Sequence, residues 1–133
     1  MKKILALLML ILVTAGCSPK IDNIPHGREF NLTCQENESS VQSRGDRGYP
    51  ARDVSRHNLI KGSRGITKQR TGDKVVWEIN RIVITENIPS RIRENQKKVT
   101  QIKKDDLTYK KTHYLGEKVN FYENGQCFLN LVY

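Results

Sequence analysis

The first seventeen residues constrain the rest of the chain more than any other stretch. Met1-Lys2-Lys3 is a short basic start, Ile4 to Val13 is an uninterrupted apolar run without a charge, and Thr14-Ala15-Gly16 are small. A helix needs roughly 20 apolar residues to cross a bilayer; this run is about half that and reads as the hydrophobic region of an export signal. The most apolar segment of the chain therefore contributes nothing to its core. Removing 16 of 133 residues leaves 117, one small domain that must fold outside the cytoplasm.

Val13-Thr14-Ala15-Gly16-Cys17 resembles the lipobox of bacterial lipoproteins, over these residues alone. The resemblance implies cleavage between Gly16 and Cys17, a diacylglycerol on the Cys17 sulfur and an acyl chain on its new amino group. Thr14 stands where the pattern usually carries an aliphatic residue. Val13-Thr14-Ala15 also fits the small-x-small site of ordinary signal peptidase, which would release a soluble chain starting at Gly16. Several acyl chains make an anchor that does not detach. Ser18 after the cysteine points, in Gram-negative lipoproteins, to the outer membrane, usually facing the periplasm. Residues 17–26, with prolines at 19 and 25, then read as a lipidated tether to a domain spanning 27–133.

If Cys17 carries lipid, Cys34 and Cys127 remain as an even pair in an oxidising compartment. A bridge between them would close a loop of roughly 90 residues and stabilise the fold by roughly 4–5 kcal/mol at most. Neither has the close neighbour a metal site needs, and neither has a nearby histidine. No metal and no cofactor beyond the acyl groups is expected.

The alternation of Phe30, Leu32 and Cys34 with polar residues predicts a half-buried strand. Val75 to Thr85, rich in Val and Ile, reads as the strongest strand. Lys98 to Lys103 and Leu107 to Leu115 follow, and Asn124-Gly125 reads as a hairpin turn between Val119–Glu123 and Gln126–Tyr133. That turn would set Phe121 opposite Phe128 and Tyr122 opposite Cys127. Placing Cys34 opposite Cys127 in an antiparallel pair sets Leu32 against Leu129 and Phe30 against Leu131, all on one apolar face. A bridge between two packed sheets would use the same faces. The expected class is mostly β, a small antiparallel sandwich or barrel-like domain with one disulfide and a long basic loop at 36–74. That loop has room for short strands near Val54 and His57–Ile60. The only helical turn expected lies within Asn87 to Asn95, with Ser90 as its cap.

The formal charge is +9; without Lys2 and Lys3, 21 basic residues face 14 acidic ones, leaving +7. Such a balance favours anionic partners. Arg44, Arg47, Arg52, Arg56, Lys61, Arg64, Lys68 and Arg70 cluster in the loop and are the candidate contacts to an anionic envelope surface. Nucleic acid is not expected, because stacking aromatics are missing from the cluster apart from Tyr49. Arg44-Gly45-Asp46 is too short a match to argue adhesion. An enzyme would need three or more of His57, His113, Glu78, Asp105 and the basic residues to converge within hydrogen-bond reach. Adjacent Asp105 and Asp106 would face opposite ways on a strand, so they cannot form a catalytic pair. The sequence thus favours a lipid-anchored binding or interaction module, with a small periplasmic enzyme or a hydrolase inhibitor as the alternative. Small periplasmic lysozyme inhibitors share the plan of signal, lipobox, β-domain and disulfide, but their inserting motif is not found here.

Overall fold

A computed structural model describes residues 20–45, 51–62 and 73–131. A 3₁₀ turn at Ile21–Asn23 leads to β1 (Glu29–Glu36), α1 (Glu38–Arg44), β2 (Val54–Ile60), β3 (Lys74–Trp77), β4 (Arg81–Ile88), β5 (Gln96–Lys103), β6 (Thr108–Leu115) and β7 (Lys118–Leu131). The seven strands form one sheet in the order β2-β1-β7-β6-β5-β4-β3, with every neighbouring pair antiparallel. The sheet curls into half a barrel, so the barrel-like form of the expected class is the one adopted.

Alternation drives this arrangement. Along β1 every second residue, Phe30, Leu32, Cys34 and Glu36, is buried, as a strand with one face on the core requires. The expected register holds: Cys34 opposes Cys127, Leu32 opposes Leu129 and Phe30 opposes Leu131. The Cys34–Cys127 disulfide therefore joins neighbouring strands within one sheet, with the two Cα atoms 3.9 Å apart. On the same face lie Leu59 of β2, Ile102 of β5, Ile82 and Ile84 of β4 and Val75 of β3, all in the core. The rings of Phe30 and Trp77 meet edge to face at 6.0 Å although β1 and β3 are separated by four strands in the sheet. Only a sheet bent toward this face can bring them together.

One end of the bent sheet is closed by the 3₁₀ turn. Ile21 and Ile24 are buried in the core, and the Lys61 ammonium donates to the Ile21 carbonyl at 2.5 Å. The expected tether over 17–26 is thereby shortened, because residues 21–24 belong to the folded body.

Four local expectations are corrected. Val75 to Thr85 is two strands: the Glu78 amide donates to the Arg81 carbonyl, and Ile79 stands 97% exposed at the tip of the turn. Asn124-Gly125 makes no turn, and β7 runs straight through it. Gly125 sits against the Gln35 carbonyl and under the Tyr109 ring, where any Cβ would collide with both. Its glycine is required by close approach and not by positive φ. The β6–β7 turn falls instead at Gly116, with φ +62°, and Phe121 opposes His113 while Tyr122 opposes Thr112. Asp105 and Asp106 lie in the turn between β5 and β6, where Asp106 accepts from the Thr108 amide and hydroxyl. Finally, Ser90 accepts from the amides of Ile92 and Arg93 as a cap does, yet β4 persists to Ile88 and residues 91–93 only bend.

Within 36–74 the described residues carry a helix and a strand. Glu36 ends β1, α1 follows at once, and β2 pairs with β1 along its whole length. Residues 46–50 and 63–72 lie outside the described residues.

Gly125→Ala is expected to destabilise the domain by about 3 kcal/mol through overpacking against strand backbone. Urea unfolding monitored by Trp77 fluorescence measures it; a midpoint within error of wild type would contradict the close approach.

Candidate functional site

The concave face carries charge as well as hydrocarbon. Counting back from Cys127 by twos, β7 turns Gly125, Glu123 and Phe121 inward. Register then sets Lys111 beside Glu123 and Tyr109 beside Gly125 on β6, while β1 adds Glu36 and β2 adds Ser55 and His57. Of these polar residues Glu36, Lys111 and Glu123 are 2% exposed or less. Burial of that degree is tolerated only where charges are paired and hydrogen-bonded.

Two linked groups satisfy that demand. In the first, the Arg44 guanidinium grips Glu36 through Nε to Oε2 and Nη2 to Oε1, both 2.9 Å. Ser40 Oγ and the Asp53 amide donate to the same carboxylate at 2.9 and 3.2 Å. Ser40 and Arg44 are four residues apart, so α1 presents them on one side. In the second, the Lys111 ammonium donates to Asp53 Oδ2 and Ser55 Oγ at 3.1 Å each, and lies 3.6 Å from Glu123 Oε2. Glu123 also accepts from the Tyr109 hydroxyl at 2.7 Å and contacts His113 Nε2 at 3.2 Å. Phe121 stacks on the His113 ring at 4.0 Å. Asp53 joins the groups through its amide on one side and its carboxylate on the other.

These contacts set the protonation states. Burial opposes charge on Glu36, but the hydrogen bonds from Arg44, the Asp53 amide and Ser40 outweigh it and hold the carboxyl below its usual range. Burial likewise opposes charge on Asp53, and the Lys111 charge together with the side-chain hydrogen bonds to Glu123 and Lys111 outweighs it. Burial, aided by the Lys111 charge, lowers His57 from 6.5 to about 4, so its imidazole is neutral at pH 7. Burial and the bond to Glu123 push the Tyr109 phenol far upward.

The arrangement gathers Arg44, His57 and His113, each named from sequence and each bonded to a different partner (Glu36, Ser55 and Glu123) rather than to one another, with Lys111, Glu36, Asp53, Tyr109 and Glu123, which the sequence reading missed. Glu78 is not part of it; it pairs with Arg81 on the surface. Asp105 is in its turn. Chemically, Lys111 Nζ occupies the place a cation would take between two carboxylates, and it is a donor there. Ser55 Oγ lies 3.5 Å from His57 Nε2, at the outer limit of a hydrogen bond. Among the described residues no group of three metal-ligating side chains is assembled, and no helix is long and apolar enough to cross a membrane.

The described members of the basic cluster do not share one surface. Arg44 is buried on Glu36 and Lys61 holds the 3₁₀ turn. Arg52 pairs with Glu38 at 3.1 Å in the open, and Arg56 is exposed on β2. Arg47, Arg64, Lys68 and Arg70 lie outside the described residues, as do Gly16 and Cys17.

Two clefts border the network. One of about 680 Å³ runs past Asn37, Arg81, Gln101, Lys103 and Tyr109. The other, about 600 Å³, lies between the end of α1 and the first half of β7. Comparisons with protein-family models, with curated proteins and with solved structures found no match to the chain.

Two outcomes follow from the network. The His57 pKa lies below its unfolded value, so the unfolded chain binds the extra proton; stability is complete above pH 6.5 and falls as pH drops toward 4. The gap corresponds to about 3 kcal/mol. Urea midpoints taken between pH 7 and 4.5 are expected to decline in wild type and to decline less in His57→Gln; equal slopes would refute the assignment. Lys111→Met leaves the buried Glu123 and the half-buried Asp53 carboxylates without their cation and is expected to cost about 3 kcal/mol. Adding Asp53→Asn and Glu123→Gln should recover part of that loss in the same titration.

Proposed function

We propose that the chain is a lipid-anchored envelope protein, held through Cys17 at the outer membrane on its periplasmic side, that acts by binding. The observation that carries the binding half of this reading is that the polar network is directed inward: apart from one nitrogen of Arg44, its groups are satisfied by one another, which leaves recognition to the outer surface and its edges. The net positive charge supports an anionic partner or surface, with exposed Arg56, Lys103 and Lys110 as contributors. The address rests on the lipobox resemblance. The burial of Ile21 gives that address a geometry: four residues of extended chain span at most about 14 Å, so an acylated Cys17 would keep the domain against the headgroups.

A second reading, a small periplasmic hydrolase, is favoured by one observation: Ser55 Oγ accepts from Lys111 and approaches His57. In its favour, a neutral imidazole is a competent base. Against it, the Lys111 ammonium is fixed by carboxylates and cannot serve as one. Labelling with a fluorophosphonate probe decides: Ser55 modification that is lost in His57→Gln would establish the hydrolase.

Radiolabelled palmitate is expected to enter the wild-type protein and not Cys17→Ala, with the label in the membrane fraction. A mature chain starting at Gly16 without acyl mass would replace the anchored protein with a secreted one.

A further inference from the structure

β7 has two different outer edges along its length. From Gly125 onward it pairs with β1, but β1 ends at Glu36, opposite Gly125, and before that point β7 pairs only with β6. Asn124 accepts from the Asn37 amide and its own amide donates to Ser40 Oγ, so its backbone groups face the β1 side. Alternation then turns the N–H and C=O of Tyr122 the same way, where among the described residues nothing meets them. The ladder is irregular just beyond: His113 pairs with Phe121 and Tyr114 with Val119, which leaves Asn120 as a bulged residue without a partner on β6.

This open edge is one wall of the 600 Å³ cleft, whose other wall is Ser43 and Arg44 of α1. Arg44 is 2% exposed at its side chain, and its Nη1 is a buried donor with no hydrogen-bond partner. A buried cationic donor left open costs free energy unless something accepts from it. Val119 and Tyr122 are both more than two-fifths exposed beside the cleft, and the Lys110 ammonium lies 4.3 Å above the Tyr122 ring. The cleft therefore offers one unpaired strand residue, with the orphaned Arg44 nitrogen buried behind its α1 wall and the Lys110 ammonium over the ring of Tyr122.

We propose that this cleft binds an extended acidic segment of a partner protein, which adds to β7 as a short strand at Tyr122 and turns a carboxylate toward Arg44 Nη1. Strand addition supplies affinity through the main chain and specificity through alternate side chains. The acidic character follows from charge complementarity with Arg44 and Lys110. The inference rests on the reading of the chain as a binding module and not on its anchor, which palmitate labelling tests separately.

The experiment uses the purified full chain in detergent and a capped peptide of four Thr-Glu repeats. Amide and guanidinium resonances are followed by NMR up to about 1 mM peptide. Saturable shifts at Tyr122, Asn124 and the Arg44 side chain are expected, with slowed exchange of the Tyr122 amide. Binding should weaken at least about tenfold for a Thr-Lys peptide and for the Thr-Glu peptide N-methylated at alternate residues. Tyr122→Pro removes the outward amide at a position where an edge strand tolerates proline. It should keep the wild-type spectrum elsewhere and lose binding. No saturable shifts, or equal binding of the lysine and N-methylated peptides, would overturn the proposal. Self-association without peptide that disappears in Tyr122→Pro would overturn it in favour of a second copy in the cleft. If Tyr122→Pro fails to fold, the N-methylated peptide alone decides.

Discussion

Lys111 is the interaction around which the rest of the domain is organised. Its ammonium lies at the centre of the curved face and draws in Asp53 from the chain entering β2 and Glu123 from β7. Asp53 in turn gives its amide to Glu36, whose carboxylate fixes Arg44 and with it α1. One buried cation thus ties together residues far apart in the sequence, across strands that are not all neighbours. Such clusters are weak contributors to net stability, because desolvation offsets most of the attraction. What they do well is penalise alternatives. A register slip of one residue in β6 that set Thr112 in the place of Lys111 would leave Asp53 and Glu123 without their cation.

The disulfide and this network divide the labour along the sheet. The Cys34–Cys127 bridge pins β1 to β7 within the apolar part of the curved face, beside Leu32 and Leu129. The charged part begins one inward position further on, at Glu36 and Gly125. There β1 ends, and α1 takes its place alongside β7 through Ser40, which holds the Asn124 amide. The same substitution of helix for strand leaves the first half of β7 without a strand on that side.

The strands were legible in the sequence wherever alternation of apolar and polar residues was clean. Phe30, Leu32 and Cys34 gave the inward face of β1, and matching them to Cys127 and Leu129 gave the correct register. The charged cluster was not legible for one traceable reason. Asn124-Gly125 has the composition of a two-residue turn, and placing a turn there cuts β7 in half. Followed unbroken from Cys127, the alternation points Gly125 and Glu123 into the core, and pairing with β6 then selects Lys111 over Lys110. The helix was hidden differently. Glu38-Ser39-Ser40-Val41-Gln42-Ser43-Arg44 has no apolar stripe, because its inward residues are a serine and an arginine whose partner is a carboxylate. Composition alone also made Arg44 and Lys61 look like surface cations, when each is spent inside the fold.

Anchoring and edge geometry bear on each other. Ile21 lies in the core at the end of the sheet where β1 starts and β5 finishes, and Asp22 reaches Lys104 there at 3.6 Å. An acyl chain at Cys17 would therefore approach the domain from that end. The uncovered half of β7 follows the other end of β1, past Glu36, beside α1. If the proposed acylation of Cys17 is present, a lipid so close to the fold would orient the domain as well as retain it, turning the cleft between α1 and β7 away from the headgroups. Anchor and cleft would then lie at opposite ends of β1, so a segment bound in the cleft would not compete with the headgroups for the same face.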